Sequence, residues 1–285
     1  MRAFVLLLLL LVPALASCGS SNDAADGTIV VAAFYPLAWA AEQIGGKGVD
    51  VVNLTPPGSE PHDIELSPRD IEAIDGAHLV LYLGDGFMPA LEDAVKGHDN
   101  AVDLLAGERL RTSVGEPGSG VDPHVWLDPL RYRRIVEKVG AALGRPARAH
   151  ELASRLERLD AEYRSGLAHC ARREIVTSHA AFGYLAHAFD LEQVALLGLS
   201  PEAEPSPRAL EALVEEVEKH GVTTVFSEKL VSPKLAQTVA REAGVRTAVL
   251  DPIEGLDKDE VAAGDDYFTL MRRNLAALRG ALGCR

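Results

Sequence analysis

The chain has 285 residues and a formal net charge of −14, from 28 Lys and Arg against 42 Asp and Glu. No basic stripe of the kind a nucleic-acid backbone requires is present, so that class of partner is excluded. Apolar residues make up 47% and aromatic residues 5%: enough for a buried core, but few rings with which to line a cleft for an organic solute.

At the N-terminus, Arg2 precedes the apolar run "FVLLLLLLVPALA", residues 4–16. It has the length of a signal-peptide core and is short for a membrane span. "LASC", residues 15–18, has the pattern of a bacterial lipobox. It predicts a signal peptide over 1–17, cleavage before Cys18, lipidation of Cys18, and a flexible tether over 18–27 rich in Gly, Ser and Asp. The folded part is therefore expected outside the cytoplasm, either anchored to the outer face of the cell membrane or periplasmic.

From residue 28 onward, "TIVVAAF", "VDVVNLT", "AHLVLYLG" and "NAVDLL" read as short buried strands. "PLAWAAEQIGG" and "SPRDIEAIDG" lie between them as helices that stop at glycine. A second alternating set follows, with strands "REIVTSH", "EQVALLG", "TTVFSE" and "VRTAVLD". Its helices "SPRALEALVEEVEKHG" and "SPKLAQTVAREAG" each begin with a serine N-cap and a first-turn proline. Alternating order of this kind predicts an α/β fold with parallel sheets flanked by helices.

Between the two sets, Leu152, Leu156, Leu159, Tyr163, Leu167 and Cys170 recur every three or four residues among charged positions. This predicts one amphipathic helix over 147–171, about 37 Å long, acting as a strut. The predicted organisation is an N-terminal lobe over 28–146, a linking helix over 147–172 and a C-terminal lobe over 173–285, with a ligand cleft between the lobes. Cys170 and Cys284 are the two cysteines left after lipidation of Cys18, and outside the cytoplasm they are expected to pair.

Histidines fall at telling places on this map. His62 follows the second strand in "PGSEPHDIELSPRD", His124 sits in "VDPHVWLDP", and His179 ends the first strand of the second lobe. Asp251 ends a later strand in "VLDPIEG". Ligands in open parallel sheets bind at the carboxyl ends of strands, and two candidates come from each lobe. Three imidazoles and one carboxylate suit a closed, four-coordinate zinc site. His78, His98, His150, His169, His187 and His220 lie on strand starts, turns and helices, where packing or surface roles suffice. Trp126 either covers the site or packs between the lobes. Glu228 either accepts an imidazole N–H or is a surface carboxylate beside Lys229.

Five segments, "FYPLAWAAEQIGG", "PGSEPHDIELSPRDIEAIDGAHLVLYLG", "DPHVWLDP", "SHAAFGYLAHAFDL" and "FSEKLVSPKLAQTVAREAGV", together resemble the solute-binding lipoproteins of zinc and manganese ABC transporters. The resemblance implies a monomeric two-lobed carrier that captures one metal ion and delivers it to a membrane permease powered by a cytoplasmic ATPase. It also implies His62, His124, His179 and Asp251 as the ligands. Histidine at position 179 resembles the zinc-type members rather than the manganese-type members with glutamate. A long histidine-rich loop common in zinc-type members is replaced by the short "GERLRTSVGEPGSG", which keeps manganese or iron as alternative cargo. A secreted zinc hydrolase is the more distant alternative: "HELAS" departs from HExxH at Ser154, no GxSxG segment occurs, and four ligands would leave no open position for water.

Overall fold

The structure is a computed structural model and describes residues 27–112, 120–201 and 206–285. The predicted signal peptide, Cys18 and almost all of the tether lie outside these residues, as does the middle of the glycine-rich segment before His124.

The first half runs β1 (Thr28–Ala32), α1 (Tyr35–Gly45), β2 (Val49–Asn53), α2 (Pro68–Gly76), β3 (Leu79–Tyr82), α3 (Pro89–Ala94), β4 (Ala101–Asp103) and α4 (Pro129–Ala142). The helix α5 (Pro146–Leu167) then leads into β5 (Glu174–Thr177), α6 (Gly183–Ala188), β6 (Glu192–Ala195), α7 (Pro207–Lys219), β7 (Thr224–Ser227), α8 (Lys234–Glu242), β8 (Arg246–Val249), α9 (Lys258–Ala263) and α10 (Tyr267–Leu282). The expected α/β class, with two parallel sheets flanked by helices, is what the chain forms.

Both sheets have the same strand order, β2-β1-β3-β4 and β6-β5-β7-β8, and every pairing is parallel. In each half the chain moves outward once and then returns to the other side of its first strand. That reversal opens a crevice at the carboxyl ends of the central pair, β1 and β3 in one sheet, β5 and β7 in the other.

Successive residues of a strand face opposite sides of a sheet, and the second sheet divides its contacts accordingly. Ile175 and Phe226 join the main core, while Val176 and Val225 join a smaller cluster beneath α7 and α8 with Val217, Ala236 and Val239. The main core also takes residues from the first sheet, α1, α4, α5 and α10, so one apolar body runs through both halves.

The linking helix is 22 residues, about 33 Å, rather than the expected 25. Pro146 starts it in the first turn, where a missing N–H costs nothing. It stops at Leu167, and the Arg173 guanidinium donates to the carbonyls of Leu167, its last residue, and of Ala168, its C-cap. The apolar spacing that continues to Cys170 serves a different purpose: Cys170 is disulfide-bonded to Cys284. Leu152, Leu156, Leu159 and Tyr163 form the buried face. Gly140 of α4 lets that helix lie against Ala149, since a Cβ at position 140 would collide with the alanine side chain.

Leu156 is fully buried in the face of α5 that joins both halves. Leu156→Ala is expected to lower unfolding free energy by about 2–5 kcal/mol in a urea titration. A loss below about 1 kcal/mol would show that this face is not packed as described.

Candidate metal centre

Four side chains converge in the space between the two sheets. One donor atom each from His62, His124, His179 and Glu254 lies within 4.8 Å of the other three. His124 and His179 are fully buried, and the side chains of Glu254 and His62 are 1% and 10% exposed.

Every member sits on a connection placed by the topology. Pro61–Asp63 form a one-turn 3-10 helix in the β2–α2 connection, and its N-cap Glu60 accepts from the His62 N–H at 3.2 Å. His124 precedes a second 3-10 turn, Val125–Leu127, which feeds α4 through the Asp128 cap. His179 follows β5 and Glu228 follows β7. These two strands are neighbours at the crevice of the second sheet, which brings the Glu228 carboxylate to both the His179 backbone N–H (3.1 Å) and its ring Nδ1 (2.7 Å). Asp122 does the same for His124, accepting from its backbone N–H at 3.0 Å and its Nδ1 at 2.9 Å.

These carboxylates fix the tautomers. With Nδ1–H donated to Asp122 and Glu228, the Nε2 atoms of His124 and His179 turn toward the centre, where a metal would be bound. The distances there are informative. Glu254 Oε1 lies 3.3 Å from His62 Nε2, 3.0 Å from His124 Nε2 and 3.7 Å from His179 Nε2, and the last two nitrogens are 3.4 Å apart. A tetrahedron of ligands about 2.0–2.1 Å from zinc has edges of about 3.3 Å. These four of the six donor–donor separations lie near that edge length, and all six are within 4.8 Å. Glu254 Oε2 is buried and finds no hydrogen-bond donor among the described residues.

Charge follows from the geometry. Burial works to lower the pKa of His179, but the Glu228 and Glu254 carboxylates outweigh it and push the value up to about 10. His124 is likewise raised, burial being outweighed by Asp122 and Glu254. Glu254, which burial would raise, is held well below the carboxylate range by its three imidazole partners. A cation entering the centre replaces protons as the counter-charge.

Asp251, expected as the fourth ligand, does not enter this cluster; the carboxylate that does is Glu254. Asp251 Oδ1 accepts from the Ile253 N–H at 2.8 Å and so closes a turn directly after β8. Ile253 has a φ of +57°, and that reversal delivers the next residue, Glu254, into the centre. Burial pushes the Asp251 carboxyl up to about 7.

Trp126 is buried beneath His124, its ring 5.2 Å away, and its indole N–H donates to the Pro252 carbonyl at 2.7 Å. It therefore ties the loop of His124 to the loop of Glu254. Phe87 adds an edge-to-face contact to His62 at 4.8 Å. Asp122, Phe87 and Glu254 were not singled out from the sequence. The carboxylate two residues before a candidate histidine was the available signal for Asp122. The remaining histidines have local explanations where partners are seen: His78 accepts from the Ile29 N–H, and His98 and His220 face Asp75 and Glu216.

The model of the family described as "Zinc-uptake complex component A periplasmic" matches residues 30–281. The zinc-binding protein AdcA of Streptococcus pyogenes serotype M18 is 36% identical, over 90% of this chain and 56% of its own length. The chain thus spans little more than half of such streptococcal relatives. The high-affinity zinc uptake system protein ZnuA of Bacillus subtilis is 33% identical over 93% of this chain and 90% of its own length. Among solved structures, the Zn(II)-bound ZnuA-like domain of Streptococcus pneumoniae AdcA superposes with a TM-score of 0.76 at 32% identity, covering 90% of this chain and 99% of that domain.

The raised pKa of His179 has a consequence for the metal-free protein. Stability from its pairing with Glu228 is fully present below the ordinary histidine value of about 6.5 and is lost as pH rises through about 10. Denaturant unfolding of metal-free protein between those limits should show a steeper decline for the wild type than for Glu228→Gln. Equal slopes would remove this pair as a source of pH dependence.

Proposed function

The chain belongs to the family of periplasmic zinc-uptake component A, and from that premise we propose that it is an extracytoplasmic carrier that captures one Zn(II) on His62, His124, His179 and Glu254 and hands it to an ABC permease driven by a cytoplasmic ATPase. The observation that carries the reading is the convergence of three imidazoles and one carboxylate, with four of their donor–donor separations at 3.0 to 3.7 Å, which suits a four-coordinate ion with nitrogen-rich ligands. Manganese suits oxygen-rich sites, and both manganese and iron(II) sit lower than zinc in intrinsic affinity for sites of this kind. Relatives named for zinc binding and zinc uptake support the same cargo.

A carrier is favoured over a hydrolase by the same geometry. A catalytic zinc keeps a position open for water, whereas this centre supplies four protein donors and lies almost wholly out of solvent. The lobes over 28–146 and 173–285, the strut between them and the lipid anchor at Cys18 belong to this proposal as its mechanical parts. The anchor keeps the carrier at the membrane face, and the two sheets contribute ligands from both sides of the cleft. In this proposal the carrier acts as a monomer, with which the candidate donor set within a single chain is compatible.

Binding requires deprotonated imidazoles, and the carboxylates that hold protons on His124 and His179 make proton release part of capture. The test is competition with a chromophoric chelator on metal-stripped protein at several pH values. One equivalent of zinc should bind, more weakly as pH falls, and be retained against excess manganese. His179→Ala and Glu254→Ala should each weaken binding by about tenfold or more, and Asp251→Asn by less than either. Preferential retention of manganese or iron would overturn the zinc reading. Equal losses in the Asp251 and Glu254 variants would overturn the ligand assignment.

A further inference from the structure

The fourth ligand depends on a turn that its own sequence does not favour. Ile253 is β-branched, fully buried and in the left-handed region at φ +57°, where its side chain crowds the backbone and such a residue is a genuine outlier. A conformation of this kind persists only where its surroundings impose it.

The surroundings are specific. Asn274, on α10 and 2% exposed, holds the peptide groups at Asp251 from both sides. Its Oδ1 accepts from the Asp251 N–H at 2.9 Å, and its Nδ2 donates to the Asp251 carbonyl at 2.7 Å. Asp251 then uses Oδ1 to capture the Ile253 N–H. Two turns earlier on the same helix, Tyr267 donates its hydroxyl to the Trp126 carbonyl at 2.6 Å, and Trp126 in turn donates to the Pro252 carbonyl. Positions 267, 271, 274 and 278 form one buried face of α10. From that face Tyr267 holds the loop of His124 and Asn274 the strand end before the turn of Glu254, while Leu278 contributes only apolar packing.

We infer that Asn274 is a positioning residue for metal capture: it imposes the left-handed conformation at Ile253 and thereby sets Glu254 as the fourth ligand. Asn274 does not itself belong to the donor cluster. Without it the turn relaxes toward an extended Ile253, the peptide direction reverses, and the Glu254 carboxylate leaves the polyhedron formed with the three imidazoles. The inference rests on the zinc-carrier reading and adds to it a residue at which the strength and geometry of capture are decided.

The test uses metal-stripped mature protein, with zinc affinity and dissociation rate measured by chelator competition and coordination geometry read from the visible spectrum of the Co(II)-loaded form. Asn274→Ala should speed zinc release by about 10–100-fold and lower the intensity of the tetrahedral cobalt bands. If Asn274→Ala does not fold, the near-isosteric Asn274→Leu carries the same test, since it removes both hydrogen bonds without opening a cavity. Leu278→Ala, a cavity on the same helix face, should reduce stability while leaving release rate and spectrum unchanged.

The decisive variant adds Ile253→Gly to Asn274→Ala. Glycine accepts φ +57° without a side-chain penalty, so the double variant should recover slow release and the tetrahedral spectrum even though it is less stable than either parent. A structural role alone predicts no such recovery. A wild type that takes up neither zinc nor cobalt overturns the functional reading and this inference with it. A wild type that binds both, beside an Asn274→Ala protein with unchanged release and spectrum, overturns the inference alone.

Discussion

A carboxylate as deeply buried as that of Glu254 is tolerated only where positive charge meets it, because removing an ion from water costs far more than packing returns. His124 and His179, whose pKa values the neighbouring carboxylates raise, supply that charge while they hold protons, and a divalent cation would supply it when the protons leave. On the proposed reading, the same exchange ties capture to pH. Everything around the centre keeps these opposing charges close and dry. Asp122 and Glu228 orient two of the rings, Phe87 and Trp126 lie against them, and the core that joins both sheets stands behind.

Loops hold the centre, yet they are not loosely held. Each candidate ligand sits on a connection between a strand and a helix, and two of the loops are fastened to the same helix, α10. The His124 loop is fastened by Tyr267 through the Trp126 carbonyl, and the Glu254 turn by Asn274 and by the Trp126 indole. Gly58, in the connection that carries His62, donates its N–H to the Leu256 carbonyl at 2.8 Å, just past Glu254. Segments of the two halves are thus bonded to one another around the candidate metal centre. Movement of one half against the other would be felt first at these bonds, which is where a carrier needs capture and release to be linked.

Most of the architecture was legible because strands, caps and glycine stops repeat in order, and parallel order follows from that alternation. His62, His124 and His179 were legible because imidazoles at strand-end connections have few structural reasons to cluster there. Glu254 was not. Asp251 stood at the strand end where a ligand was expected, and only the left-handed Ile253, a conformation that no residue pattern announces, turns Asp251 away and sends Glu254 inward. Asn274, 23 residues past Asp251, acts through tertiary contact and leaves no local mark. The linking helix was read too long for a related reason: apolar spacing continues through Cys170, but there it serves the disulfide with Cys284 rather than another helical turn.

The central claim is that a single ion is held by three imidazoles and the Glu254 carboxylate, and zinc K-edge X-ray absorption on the loaded mature protein addresses it most directly. The account predicts a four-coordinate first shell at about 2.0 Å, with outer-shell scattering from three imidazole rings, and loss of one oxygen scatterer from that shell in Glu254→Ala. A shell of five or six mostly oxygen neighbours, or one unchanged by that substitution, would contradict it.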